Sequence, residues 1–259
     1  MLLGVNIDHI AVLREARKIN DPNPLDALGI CKLANANQIT IHLREDRRHM
    51  QDSDTQNIIA LSQLPVNLEC SINDEMINLA CKYKPHRVTL VPENRQEVTT
   101  EGGLDVEGNY EQLSKVIEKL HKNEIEVSLF IDPNIDVIEL SKNLDVQWVE
   151  LHTGSFANIY AMLNSALNKT HHSIKELELP RAQLSKKLAH AIQEVESASK
   201  SASKLGLKVA AGHGLNYQNV NYVTKIKEIS ELNIGQSIIA RSIFTGLKSA
   251  IIEMKELIK

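Results

Sequence analysis

Gln38-Ile39-Thr40-Ile41-His42-Leu43-Arg44-Glu45-Asp46-Arg47-Arg48-His49 runs from an alternating apolar and polar segment straight into a cluster of titratable groups. With a period of two, Thr40 and His42 share one face and Ile39 and Ile41 the other, so the first five residues read as a strand that ends in an imidazole. The basic loop that follows places Arg44 and His49 within reach of that ring. Such a strand end could hold an anionic substrate against a proton-transfer group. The competing reading is a solvated charged turn, and what argues against it is that the pattern returns elsewhere in the chain.

It returns with the same parity. Leu3-Gly4-Val5-Asn6-Ile7-Asp8 puts Asn6 and Asp8 on one face, Val66-Asn67-Leu68-Glu69 does so with Asn67 and Glu69, and Gln147-Trp148-Val149-Glu150-Leu151-His152 with Glu150 and His152. Lys208-Val209-Ala210-Ala211-Gly212-His213 ends in His213, and segments 87–91, 126–132 and 231–235 bring the expected strands to eight. Helical spacing fills the gaps, as in 110–123 with Leu113, Ile117 and Leu120, and in 184–205 with Leu188, Ile192, Val195, Ala198 and Ala202. Gly206 is expected to stop that second helix. Eight βα units in 259 residues predict a (β/α)8 TIM barrel with extra helices, a single domain over 1–259 with a helical insertion at about 156–185. An open doubly wound sheet is the lesser alternative, because Asp8-His9-Ile10-Ala11 stands where such a fold would carry a glycine-rich turn.

Composition bounds the function classes. The chain is 42% hydrophobic and 24% charged, ordinary for a globular protein, and only 3% aromatic, so aliphatic side chains must fill the core. A formal charge of -4 and few aromatics leave neither an electrostatic footprint nor a stacking platform for nucleic acid. Cys31, Cys70 and Cys81 are odd in number and lack a Cys-x-x-Cys spacing, which speaks against a disulfide framework and a thiolate metal site and suits a reducing cytoplasm. Met1 to Val5 runs into the first strand, and Asp8 and His9 interrupt any apolar stretch long enough for a signal peptide or membrane span. The pair His171-His172 in the insertion reads as solvated surface.

In a barrel, Asp8, His42, Glu69, Glu150 and His213 would converge on one mouth. Imidazoles and carboxylates in one partly desolvated cup divide acid and base roles, because burial and mutual charge push their titrations apart. Arg14, Arg17 and Lys18 follow the first strand and Arg44, Arg47 and Arg48 the second, while Gly212-His213-Gly214 and Asn233-Ile234-Gly235-Gln236-Ser237 occupy the loops after strands seven and eight, where barrels commonly cradle phosphate. Two anion sites are expected, one at those glycines and one at Arg44 and His49. The polar loop 92–103, ending in Gly102-Gly103, is long enough to serve as a lid.

Gly4-Val5-Asn6-Ile7-Asp8-His9-Ile10, His42 through His49, Arg95-Gln96-Glu97-Val98-Thr99-Thr100-Glu101-Gly102-Gly103-Leu104-Asp105, Ala211-Gly212-His213-Gly214-Leu215 and Glu231-Leu232-Asn233-Ile234-Gly235 together resemble the pyridoxine 5′-phosphate synthase family nearly end to end. That resemblance implies a barrel with added helices, assembled as a homo-octamer (a tetramer of dimers) in the cytoplasm. It implies condensation of 1-deoxy-D-xylulose 5-phosphate with 3-amino-2-oxopropyl phosphate to pyridoxine 5′-phosphate, phosphate and water, with no metal and no cofactor. By the same resemblance His42 and Glu69 are proton acceptors, His213 a proton donor and Glu150 a transition-state stabiliser. Asn6, Arg17, Gly214, Gly235 and Gln236 then hold the amino-ketone phosphate, and Asp8, His9, Arg44, His49 and Thr99 the deoxyxylulose phosphate. Gln236 departs from the histidine expected there in many members, and the 156–185 segment exceeds the compact form. Two other readings are a metal-dependent barrel enzyme using His42, Glu69 and His213, and a noncatalytic sugar-phosphate-binding barrel.

Overall fold

The computed structural model describes residues 1–93 and 102–259. Strands β1 (Leu2–Asn6), β2 (Gln38–His42), β3 (Val66–Cys70), β4 (Arg87–Leu90), β5 (Glu126–Ile131), β6 (Trp148–His152), β7 (Lys208–Gly212) and β8 (Ile229–Ile234) pair in chain order, all parallel, and β8 closes on β1. This is the expected (β/α)8 barrel. Around it lie α1 (Asp8–Glu15), α2 (Ala27–Leu33), α3 (Asp52–Leu61), α4 (Asp74–Tyr83), α5 (Tyr110–His121), α6 (Ile135–Asn143), α7 (Gly154–Asn164), α8 (Arg181–Lys204), α9 (Val220–Val223), α10 (Gln236–Thr245) and α11 (Leu247–Leu257).

The alternation of the strands sorts the side chains. Val5, Ile39, Ile41, Leu68, Val88, Leu90, Leu129, Val149 and Leu232 are fully buried and belong to one apolar cluster with helix residues such as Ile58, Ile77, Leu113 and Val195. Each such residue contributes about 1.5–3 kcal/mol of burial, and truncation of a side chain like Leu68 to alanine would cost about 2–5 kcal/mol. The core is therefore a sleeve between strands and helices, aliphatic as the composition requires.

The opposite parity fills the barrel itself, and on β2, β3, β4 and β8 its residues are polar. Gln38, Thr40 and His42 alternate along β2, Asn67 and Glu69 along β3, Arg87 and Thr89 along β4, and Glu231 and Asn233 along β8. A barrel interior is commonly packed with branched aliphatics. Here hydrogen bonds replace that packing: an Arg87 Nη2 donates to Gln38 Oε1 and to Glu231 Oε1, each at 2.6 Å, and Thr89 Oγ1 donates to Asn67 Oδ1 at 2.8 Å. The Arg87 guanidinium also stacks 4.2 Å from the Trp148 ring centroid.

Two local details differ from the sequence expectation or sharpen it. β1 ends at Asn6 rather than at Asp8, because the Asn6 side chain accepts the Asp8 backbone N–H at 3.0 Å and Asp8 opens α1. Gly206 does end α8: its φ of +79° lets the Leu207 N–H turn back to the Ala202 carbonyl at 3.0 Å. In the 156–185 stretch α7 runs on to Asn164, single 3₁₀ turns stand at Leu167–Lys169 and Lys175–Leu177, and α8 begins at Arg181. His171 and His172 are exposed there, ring against ring at 3.8 Å. No helix among the described residues is long and apolar enough to cross a membrane.

Candidate active site

β2 delivers His42 to the C-terminal mouth, and β3 delivers its register partner Glu69 beside it. His42 Nδ1 and Glu69 Oε2 lie 3.9 Å apart, and the other ring nitrogen, Nε2, is buried with no hydrogen-bond partner among the described residues. The Asp8 carboxylate clasps the first two strands, Oδ1 accepting the His42 backbone N–H and Oδ2 the Asn6 side-chain amide, both at 2.9 Å. Asn6 and Asp8 thus reach the mouth together although only one of them is a strand residue. His9 follows half-buried in the first turn of α1.

Burial, and then the charges of Arg44, His49 and Arg48, hold the His42 imidazole well below its ordinary value, so it is neutral at pH 7 with a lone pair free to accept a proton. Burial, and then the Glu150 and Asp8 carboxylates, push Glu69 well above the ordinary carboxylate range. Burial likewise raises Glu150 to about 7, against the pull of a hydrogen bond from Asn233. His213 meets solvent at the rim, but protein crowding it on its other sides, together with the His152 and Arg44 charges, lowers it to about 4. Burial thus brings the Glu150 carboxyl near neutrality and keeps the imidazoles uncharged there, so groups that hold a proton and groups that can take one share one mouth, an arrangement suited to acid–base chemistry.

Arg44 stands on the loop after β2, half-buried, and its charge acts on His42, Glu69, Glu93 and His213, so these groups border a common space. His49 is buried 6.3 Å from His42 ring to ring, and its Nδ1 accepts the Met50 backbone N–H at 2.8 Å. The other arginines singled out near the first two strands are committed elsewhere. Arg14 is buried in a two-pronged ion pair with Asp54 at 2.9 and 2.7 Å, Arg47 pairs with Asp52 and Glu75, and Arg48 with Asp46. For Arg14 and Arg47 the charge run is structural, while Arg48 also acts on His42. Arg17 lies exposed in the turn after α1, outside this cluster of side chains.

On the far side, the loops after β7 and β8 are tied by Ser237 Oγ donating to the Leu215 carbonyl at 2.9 Å. Here His213 itself has φ +77° and Gly214 +78°, a left-handed pair that turns the chain abruptly. Gly235 is required by proximity: a Cβ there would come within 2.8 Å of Asn6 Cβ. It precedes α10, whose first turn has no side-chain cap and whose first residue, Gln236, is exposed. Thr99 and most of the loop expected as a lid lie outside the described residues. Among the described residues no three His, Cys, Asp or Glu side chains are grouped to hold a metal ion.

Several site residues were not weighed from the sequence. His152 follows Glu150 on the same face of β6, its Nδ1 3.0 Å from Asp132 Oδ1 and its ring 5.0 Å from that of His213. That hydrogen bond holds Asp132 below the usual carboxylate range. Asn233 donates through Nδ2 to Glu150 Oε2 at 2.7 Å. Both share the parity that exposed Glu150 and Glu231, and that parity was the signal that could have found them.

The family model described as "Pyridoxal phosphate biosynthesis protein PdxJ" matches residues 3–259. The chain belongs to the PdxJ family. It is 74% identical to the pyridoxine 5'-phosphate synthase of Aliarcobacter butzleri over 259 residues, which is 100% of this chain and 99% of that one, and 58% identical to that of Wolinella succinogenes, covering 100% and 98%. Among solved structures, the N-(5'-phosphoribosyl)anthranilate isomerase of Pyrococcus furiosus superposes with a TM-score of 0.58 at 14% identity, over 100% of this chain and 98% of that chain. A tryptophan synthase alpha-subunit from the same organism gives 0.59 at 12%, over 98% and 97%. Such distant likeness shows the barrel alone; the PdxJ assignment rests on the family match and the close relatives.

Proposed function

We infer that this chain is a pyridoxine 5′-phosphate synthase. It condenses 1-deoxy-D-xylulose 5-phosphate with 3-amino-2-oxopropyl phosphate, releasing phosphate and water, in the biosynthesis of vitamin B6. The observation that carries the chemistry is the His42–Glu69 pair: a buried imidazole and a half-buried carboxyl 3.9 Å apart, the imidazole with a ring nitrogen that has no hydrogen-bond partner among the described residues. Amine addition to a ketone, phosphate loss, ring closure and aromatisation each need a proton moved at a defined atom. His42, kept neutral by its surroundings, takes one proton. Glu69, made more basic by burial, takes another when it is ionised. His213 on the opposite rim, uncharged at rest because its imidazole is lowered to about 4, donates from its ring N–H and recovers that proton from solvent, and Glu150 stabilises the charge that develops between them.

Substrate placement follows the charges. Arg44 and His49, with Asp8, His9 and Thr99, receive the deoxyxylulose phosphate, Arg44 supplying the cation. The amino-ketone phosphate lies at Gly214, Gly235 and Gln236 with Asn6 and Arg17. What supports this is the uncapped first turn of α10, whose N–H groups suit a phosphate. The assembly is a homo-octamer built as a tetramer of dimers; exposed apolar side chains at Leu13, Ile19, Ile243 and Phe244 offer surface for it. A reducing cytoplasm suits Cys31 and Cys70, whose thiols burial pushes to about 12. The direct test is to incubate the purified protein with both phosphates and follow the pyridine chromophore. Affinity for the phosphates without any chromophore would leave a binding protein and sink the synthase reading.

A further inference from the structure

Asn233 lies on β8 between two glycines, Gly4 of β1 and Gly212 of β7, which are its register partners on either side. Neither position has room for a side chain. A Cβ at residue 4 would come within 2.0 Å of Asn233 Oδ1, and one at residue 212 within 2.2 Å of Glu150 Oε1. The two glycines therefore form a slot that admits the Asn233 and Glu150 side chains together. Within it the amide has one orientation that satisfies its neighbours. Oδ1 accepts from Thr40 Oγ1 at 3.1 Å and Gln38 Nε2 at 3.3 Å, while Nδ2 donates to Glu150 Oε2 at 2.7 Å and Glu231 Oε1 at 3.3 Å. Flipped, its oxygen would face two carboxylates.

Glu231 is paired directly with Arg87, so the amide nitrogen spans an ion-paired carboxylate and the Glu150 carboxyl, on which the Arg87 charge acts without a direct ion pair. We propose, resting on the synthase reading above, that Asn233 is a positioning residue: it grips Glu150 by Oε2, keeps it apart from Glu231, and leaves Oε1 beside Gly212 as the oxygen that meets the reacting atoms. The hydrogen bond also favours the ionised form of Glu150. The charged groups that act on Glu150 are Glu231 on β8 and Arg87 on β4, Glu150 in turn acts on Glu69 of β3, and the titratable His152 follows on the same face of its own strand. The facing positions on β5 (Ser128, Phe130) and β7 (Ala210, Gly212) carry no charge.

Asn233→Leu keeps the volume and removes the donor, and Asn233→Asp keeps the shape and places an acid there, so the second covers a failure of the first to fold. Both are assayed in the whole enzyme for chromophore formation across pH. The leucine variant is expected to lose about 10- to 100-fold in kcat with KM little changed, and its limb assigned to Glu150 moves to higher pH. In the aspartate variant the loss is larger on the alkaline side and shrinks toward acid, where a protonated Asp again donates to Glu150. Combined with Glu150→Gln, Asn233→Leu should add no further loss, because it acts through the carboxylate already removed. Unchanged pH profiles in the variants that fold, or losses that multiply in the double variant, would overturn the assignment. Failure of the synthase reading is a separate result: the unmodified enzyme then makes no chromophore at all.

Discussion

His42 and Glu69 are register partners on adjacent strands, yet Nδ1 and Oε2 stop 3.9 Å apart, about one ångström beyond a hydrogen bond. Neither group neutralises the other. The gap is held by the barrel's own spacing and by Asp8, which fixes the His42 backbone from the start of α1. A group that enters between them would meet both atoms at once.

Replacing Glu69 by Gln keeps the shape and removes the basicity. Turnover should fall by about 100- to 10,000-fold while both phosphates still bind. The measurement is kcat alongside binding titrations with each substrate. Near-normal turnover would remove Glu69 from the mechanism.

Glu150 makes stability depend on pH. Its carboxyl is raised in the folded protein from an ordinary 4.5 to about 7, so the stability it contributes is full below about 4.5 and is lost as the pH rises through about 7. Glu150→Gln lacks that titration. Between about pH 5 and about pH 8 the wild type should therefore lose more stability than the variant, by up to a few kcal/mol, in denaturant unfolding. Parallel losses in the two proteins would mean that Glu150 titrates normally.

Arg44→Ala should weaken deoxyxylulose phosphate far more than the amino-ketone phosphate, since only one anion loses a charge-assisted partner. Separate binding titrations read the two affinities. Equal weakening would contradict the placement of the phosphates.

Gln236 begins α10 as an exposed neutral amide. An imidazole there can charge between about pH 5 and 8, and an amide cannot. Gln236→His should make amino-ketone phosphate binding tighten toward acid, once the substrate's own ionisation is corrected for. Calorimetric titrations of both proteins decide it: superimposable profiles would turn position 236 away from the phosphate.

Period-two alternation made the barrel legible, and with it His42, Glu69 and Glu150, because one residue's parity fixes the face of all its strand neighbours. The same rule puts Asn67 beside Glu69, but the stretch from Asn233 reads as a phosphate loop, whereas Asn233 lies within β8; a neutral amide announces no chemistry until its partners are known, and Glu150 is 83 residues away. The charge runs misled for the same reason. Arg14 and Arg47 look identical to Arg44 in sequence, and only the fold brings Asp54 to one and Asp52 with Glu75 to the other. The left-handed backbone of His213 left no sign either, since non-glycine residues seldom adopt it.

The polar lining of the barrel has an evolutionary consequence. Buried ion pairs such as Arg87–Glu231 often contribute less to stability than well-packed apolar groups of the same volume. Joint replacement of Gln38, Arg87 and Glu231 by aliphatic side chains could thus give a hardier protein with an idle mouth. Lineages adapting to heat would find that route closed by selection for turnover, and would have to draw their tolerance from the sleeve of helices outside.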